Sequence, residues 1–337
     1  MIEFKQPALV DELRRRISTG IYSGTLPTTL ELAAEFDVNP KTMNKAIARL
    51  VAEGLLERRR RSGTRVCSPP PRDGRLIEVI FEGFTTIFTH PFWGDIWSGM
   101  VEQLAAAGFR PVLNMLEAEP SSGTLDLTHF SLSAAAGRIV LGIASPELLN
   151  QVRSAGVPFI TACDPLEDPA IPQVTFDFDD GIRQAVELLY RDGCRKIAFI
   201  GETRTSSPLQ SPRKYLAYRQ AVQHCCGAAD PILAENVRPL TGQGAPALAA
   251  VLDRSRPDAL LAAYDHQLPE LAAMLAEHNL QLPVIGCDGL NIPGLPGDRH
   301  VVVAPRRECG RRTAELLVAA IAGKRHPESL VIPAYFR

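Results

Sequence analysis

Two stretches near the start of the chain gather side chains that can grip a polyanion and read it. "DVNPKTMNKAIARL", residues 37–50, carries Asn39, Lys41, Thr42, Asn44, Lys45 and Arg49. "GLLERRRRSGTRV", residues 54–66, carries Arg58, Arg59, Arg60, Arg61 and Arg65 around a Ser62–Gly63 turn. Wound as a helix, the first stretch puts Met43, Ile47, Leu50 and Val51 on one side. Lys41, Asn44, Lys45, Ala48 and Arg49 are left on the other. Asn offers a donor and an acceptor to an adenine edge, and Lys bonds guanine O6 and N7 or a phosphate. Arginines at a hairpin tip reach phosphates or a narrow minor groove, where the negative potential is strongest. The competing reading is a solvated helix face and a hairpin kept soluble by its charges.

No other chemistry is as well marked. The chain has no Walker A loop, no GxSxG and no HExxH. We therefore expect no catalytic set, no enzyme activity and no cofactor. Seven cysteines (Cys67, Cys163, Cys194, Cys225, Cys226, Cys287, Cys309) stand at irregular spacing without a CxxC, and the seven histidines are dispersed. That spacing leaves no metal site. The cysteines fit a reducing cytoplasm, and the histidines, His90 and His266 among them, fit surface or core roles. The N-terminus lacks an apolar export segment. No uncharged run reaches about 18 apolar residues. The expectation is a cytoplasmic protein with no membrane partner.

These residues need elements to position them. The 337 residues are 45% hydrophobic and 22% charged, enough for two or three domains with real cores. Residues 1–67 hold 12 Lys and Arg against 8 Asp and Glu, leaving 24 against 30 in the rest. A basic head on an acidic body points the head at a polyanion. "CSPPPRDGR", residues 67–75, can continue neither a helix nor a central strand and predicts a stiff spacer. Before it, Leu9, Leu13 and Ile17 predict a first helix, and Thr28 or Thr29 caps a second that carries Leu32, Ala33 and Phe36. Asn39 caps a third with Pro40 in its first turn, and two short strands follow. Three helices and a β-wing make a winged helix-turn-helix. After the spacer, apolar strands alternate with helices, which predicts parallel sheets covered on both faces. Their length exceeds one doubly wound unit, so two lobes are expected.

The motifs carry a resemblance. "GIYSGTLPTTLELAAEFDVNPKTMNKAIARLVAEGLLERRRRSGTRV" resembles the DNA-binding head of the GntR family, and the likeness covers residues 4–66. Leu30 and Pro40 stand where many members carry arginines. Two usual DNA contacts are thus absent. Either the operator differs, or the wing arginines carry more of the binding. The body resembles the LacI-type sensor, related in fold to periplasmic binding proteins. "IEVIFEGFTTIFTHPFWGDIWSGMVEQLAAAGF", "VTFDFDDGIRQAVELLYRDGCRKIAFIG", "SPRKYLAYRQAV", "LPVIGCDG" and "APRRECGRRTAELL" occur in family order. That resemblance implies a small effector in a cleft between two lobes. It places Phe92, Trp93, Asp177, Arg213, Lys214, Tyr264, Asp265 and Asp288 on the ligand. Phe92 and Trp93 also fit a lobe core, and Asp177 and Asp265 also fit helix caps.

Together these readings predict an α/β chain. A winged helix-turn-helix domain spans 1–67, a Pro-rich linker 68–75, and a two-lobed periplasmic-binding-protein-like domain of parallel sheets flanked by helices 76–337. The resemblance implies a ligand-responsive transcription regulator, a repressor of carbohydrate-related genes. Its partners are double-stranded operator DNA, a sugar or sugar derivative as effector, and a second copy in a homodimer. "SPPPRDG" cannot form the hinge helix that LacI proteins use at this junction. The alternative is a cytoplasmic sugar-binding or sugar-converting protein with a vestigial head.

Overall fold

A computed structural model describes residues 6–18, 21–22, 24–52, 55–59, 63–66, 73–83, 90–117, 127, 130–142, 144–163, 165–204, 212–226, 233–237, 242–294, 299–324 and 328–337. The chain divides into two compact units. One holds residues 1–74 with 132–136 and 150–157, and the other holds the remainder.

In the head, α1 (Gln6–Ser18), α2 (Thr29–Glu35) and α3 (Pro40–Ala52) precede β1 (Leu56–Arg59) and β2 (Gly63–Val66). Thr28 caps α2: its hydroxyl accepts from the Glu31 N–H, and the Glu31 carboxylate accepts in return from the Thr28 N–H at 2.7 Å. This reciprocal arrangement satisfies two amides that a helix start leaves open. Asp37 turns the chain between α2 and α3 with φ of 51°, a left-handed conformation that Asp tolerates better than most residues. Asn39 then accepts from the Lys41 N–H at 2.8 Å, as an N-cap should. The core closes on Leu9, Leu13, Leu32, Met43, Ile47 and Leu50, all buried. β1 and β2 pair antiparallel from Leu56↔Val66 to Arg59↔Gly63. An unexpected third edge joins them, as Leu26 and Val66 exchange amide bonds with Thr64 and Gly24.

In the body, one six-stranded sheet has the order β13-β7-β6-β5-β3-β4 and a four-stranded sheet the order β11-β10-β8-β9. Their strands are β3 (Asp73–Gly83), β4 (Arg110–Glu117), β5 (Ala135–Gly142), β6 (Phe159–Cys163), β7 (Gln173–Asp177), β8 (Ile197–Gly201), β9 (Leu233–Asn236), β10 (Ala259–Ala262), β11 (Val284–Gly286) and β13 (Leu330–Pro333). A small antiparallel pair, β12 (Val302–Val303) and β14 (Tyr335–Phe336), is tied to the second sheet by an isolated bridge between Val301 and Gly286. The registered pairs within the two large sheets are parallel. The chain leaves the first sheet after β7, builds the second, and returns through β13. Two lobes follow from that route.

The helices are α4 (Pro91–Ala106), α5 (Pro146–Ser154), α6 (Asp179–Arg191), α7 (Arg213–Cys226), α8 (Gly244–Ser255), α9 (Leu268–Glu277) and α10 (Arg306–Ile321). α4 packs on α10 through two glycines. A Cβ on Gly99 would fall 2.0 Å from the Arg307 carbonyl oxygen, and one on Gly310 would fall 1.9 Å from that of Ile96.

One expected boundary moves. β3 begins at Asp73, inside the stretch read as spacer. Asp73 and Gly74 have amides to give and lead into the apolar run that follows. Residues 67–72, which hold the prolines, lie outside the described residues.

Candidate functional site

On the head, α3 turns one face inward and one outward. Met43, Ala46, Ile47 and Leu50 are buried, while Asn39, Lys41, Asn44, Lys45 and Arg49 are exposed and Thr42 is half-buried. Burying the apolar face offsets the entropy of fixing the helix, so the polar ridge is held out on a rigid element. The wing starts beside it: Leu56 and Val66 anchor the hairpin in the core, and Arg58, Gly63 and Arg65 are exposed. Arg58 donates to the Asn44 side-chain oxygen. That bond takes one of the two lone pairs of the oxygen that Asn44 would offer to an adenine N6–H, so Arg58 and a base can share it. The Arg59 side chain and all of Arg60 and Arg61 lie outside the described residues.

In the body, a pocket with about 810 Å³ of empty space, solvent at its mouth included, opens at the carboxyl ends of the strands, where α/β sheets place their ligands. Phe92 and Trp93 enter it from the first turn of α4 and Phe176 from β7. Phe178 stands at the start of α6, and Tyr264 and Asp288 follow β10 and β11. The aromatic pair lines the pocket and also packs within the lobe core. Trp93 packs edge-on against Phe81 of the lobe core with ring centres 5.0 Å apart, and against Phe92 at 5.1 Å. Phe92 faces Phe176 across 6.3 Å. Cys163 closes part of the wall with φ of 89°, a conformation that costs about 1–3 kcal/mol and that clusters at functional sites.

Two charges in this pocket are paired with each other, those of Lys214 and Asp288. Lys214 Nζ lies 2.6 Å from Asp288 Oδ1 and donates to the Ala263 carbonyl at 2.6 Å. It also sits 4.8 Å over the Phe178 ring and 4.9 Å over Tyr264. Asp288 Oδ2 accepts from the Asp265 N–H at 3.0 Å. Burial pushes the Asp288 carboxyl up, but the Lys214 ammonium overcomes it and holds the group below the usual range. Arg306 bonds Asp95 through Nε at 3.0 Å and donates to the Asp288 carbonyl. Arg213 lines the mouth and is exposed. Tyr264 points its hydroxyl at Glu202, 3.5 Å away.

Two expected contacts stand elsewhere. Asp265 does not line the pocket. It is fully buried behind it, where its carboxylate accepts from the amides of Asp288 at 3.2 Å and Leu290 at 2.7 Å and meets Arg299 at 3.1 Å. Burial first, and repulsion from Asp288 second, raise its pKa to about 6. Asp265 therefore fastens the loop that carries Asp288. Asp177 is exposed at the end of β7, where its carboxylate accepts from the Asp179 N–H at 2.9 Å, so it opens α6 as a turn residue. The cap alternative describes Asp177, whereas Asp265 braces a loop and caps no helix.

Sequence reasoning missed His90 and His266, which both line the pocket. Their rings meet edge-to-face at 5.1 Å. Burial lowers the pKa of both, that of His266 to about 4, against an opposing pull from Asp288. The signal was adjacency, since His90 directly precedes Pro91-Phe92-Trp93 and His266 follows Tyr264-Asp265. Among the described residues no group of three or more His, Cys, Asp or Glu is placed to hold a metal ion, and no helix is long and apolar enough to cross a membrane.

Comparison with known proteins agrees with this division. Residues 5–66 match the family "Bacterial regulatory proteins, gntR family", and residues 186–336 match "Periplasmic binding protein-like domain". The HTH-type transcriptional regulator GmuR of Bacillus subtilis (strain 168) is 37% identical over 77 residues, 22% of this chain and 32% of that protein. The match thus spans about a third of that relative's length. Among solved structures, a transcriptional regulator CelR–cellobiose complex is 21% identical with a TM-score of 0.67, over 93% of this chain and 98% of that one. A LacI family transcriptional regulator from Enterococcus faecium with bound ribose is 20% identical with a TM-score of 0.62, over 78% and 96%. The lac repressor dimer bound to operator and the anti-inducer ONPF is 17% identical with a TM-score of 0.65, over 79% and 93%. At these identities the likeness is one of fold. Two likenesses thus meet in this chain, residues 5–66 with the gntR family and residues 186–336 with the periplasmic binding protein-like domain, and the solved regulators share its fold.

Proposed function

We propose that this chain is a ligand-responsive, DNA-binding transcription regulator, a cytoplasmic repressor that works as a homodimer on an inverted-repeat operator. Its effector is a carbohydrate held in the body's pocket. The observation that carries the reading is the ridge of Lys41, Asn44, Lys45 and Arg49, exposed on the outer face of a helix whose inner face is buried. The N-terminal part of such a helix enters the major groove, and the wing reaches the backbone beside it. Relatives in fold bind cellobiose, ribose and operator DNA, which supports a sugar for the pocket and DNA for the head. Occupancy of the pocket would change DNA affinity by about 5–150-fold, the usual range of such coupling. The vestigial-head alternative is not favoured, since the head keeps both its core and its polar ridge. Genomic fragments selected by the full-length protein test this directly. A specific fragment should emerge, and its affinity should fall by about 0.9 log units per phosphate contact for each tenfold rise in salt. Recovery of random fragments alone would refute it.

A further inference from the structure

His90 and His266 leave all four ring nitrogens buried and without a hydrogen-bond partner. A buried polar atom without a partner costs about 1–3 kcal/mol, so four around one pocket mark a place where something else supplies the bonds. His90 also occupies the N-cap of α4, and its side chain does not cap the helix. The local backbone therefore does not explain it. His266 sits in the turn Asp265–Gln267 that begins where β10 ends.

We infer that His90 and His266 read two hydroxyl groups of one uncharged ligand, which makes the effector a neutral, unphosphorylated sugar or polyol. This rests on the carbohydrate reading above and deepens it. A neutral imidazole has one donor and one acceptor nitrogen, so the pair presents two of each. Hydroxyls both donate and accept and match that set. A phosphate or carboxylate only accepts, and would leave two acceptor nitrogens facing it unmatched. Anions are held most strongly by charge-assisted donors. Here the Lys214 charge is held by Asp288 at 2.6 Å and that of Arg306 by Asp95. Arg213 is exposed at the mouth, with Asp179 near enough to feel its charge. The aromatic walls suit the C–H faces of a sugar ring.

Calorimetry on the full-length protein tests the inference with ribose, arabinose, glucose, galactose and cellobiose, set against glucuronate, ribose 5-phosphate and glucose 6-phosphate. At least one neutral probe should bind, and more tightly than any charged one. His90→Phe and His266→Phe keep the ring contact and remove the nitrogens. Each should weaken that binding about tenfold or more, while His90→Gln, which keeps a donor and an acceptor, should recover part of the loss. Thermal unfolding checks that each variant is folded. A charged probe that binds tenfold tighter than every neutral one overturns the inference and leaves the carbohydrate reading standing. So does unchanged affinity in both Phe variants. Binding of no probe refutes the carbohydrate reading, and this inference with it.

Discussion

The head and the body use polar side chains in opposite ways. On α3 the polar groups stand in water, and the bond from Arg58 to Asn44 is exposed. Held in water, they cost little. In the body the strong charges are buried and engaged with each other, in the pairs Lys214–Asp288 and Arg299–Asp265. The pocket's two imidazoles, in contrast, have buried nitrogens without partners. A surface that must recognise a polyanion keeps its charges in high dielectric, where salt screens them. A pocket that must recognise a small molecule neutralises its charges first and leaves uncharged groups to discriminate.

The contrast predicts where substitution damages stability and where it damages binding. The largest effect belongs to Asp265→Ala, which strands Arg299 and frees the Asp288 loop. Chemical denaturation should show a loss of about 3–5 kcal/mol, whereas Asp177→Ala, at an exposed turn, should cost less than about 1 kcal/mol. Equal losses would erase the distinction between framework and surface carboxylates.

Acid sharpens it next. Burial holds His266 to about 4, below the ordinary 6.5, so its contribution is complete above pH 6.5 and is lost as the pH falls toward 4. Protonation of this one group removes about 3 kcal/mol. Asp265, raised to about 6, acts in the opposite direction, its contribution fading as the pH rises from about 4 to 6. Comparing wild type with His266→Phe isolates the histidine. The variant should lose less stability between pH 7 and 4.5, and parallel curves would show that the ring does not titrate as described.

Asp288→Asn should cost about 2–3 kcal/mol, because Lys214 loses its counter-charge in a buried site, and it should abolish the response to the effector. Unfolding in place of a silent but folded protein would make Asp288 purely structural. On the head, Lys45→Ala should remove about 1–3 kcal/mol of base discrimination and leave the melting temperature of the protein unchanged. Replacing Arg60 and Arg61 should instead weaken all sequences evenly and flatten the salt dependence. If both changes cut specific and random DNA alike, the division between reading and gripping falls.

The two regions also differed in how far the sequence disclosed them. The outward ridge of α3 was legible because amphipathic period and exposure are the same fact, and Met43, Ile47 and Leu50 are buried as their spacing requires. Asp288 reached the pocket, as the family resemblance implied. The place of Asp265 was not legible, because it depends on Arg299, 34 residues away, and on a loop amide brought back by the fold. His90 and His266 look like any histidines until two different lobes set their rings side by side. β12 and β14 are two residues each, too short for any period. α5 carries its signals in the open, with Pro146 at its start and Leu148, Leu149 and Val152 buried on one face.

The claim that joins the regions is that filling the body's pocket alters the head's hold on DNA. Fluorescence anisotropy on a fragment selected by the full-length protein, with and without a neutral sugar that calorimetry shows to be bound, measures that coupling. The account predicts a change in DNA affinity of about 5–150-fold, lost in Asp288→Asn. Identical affinity with the pocket empty and full would contradict it.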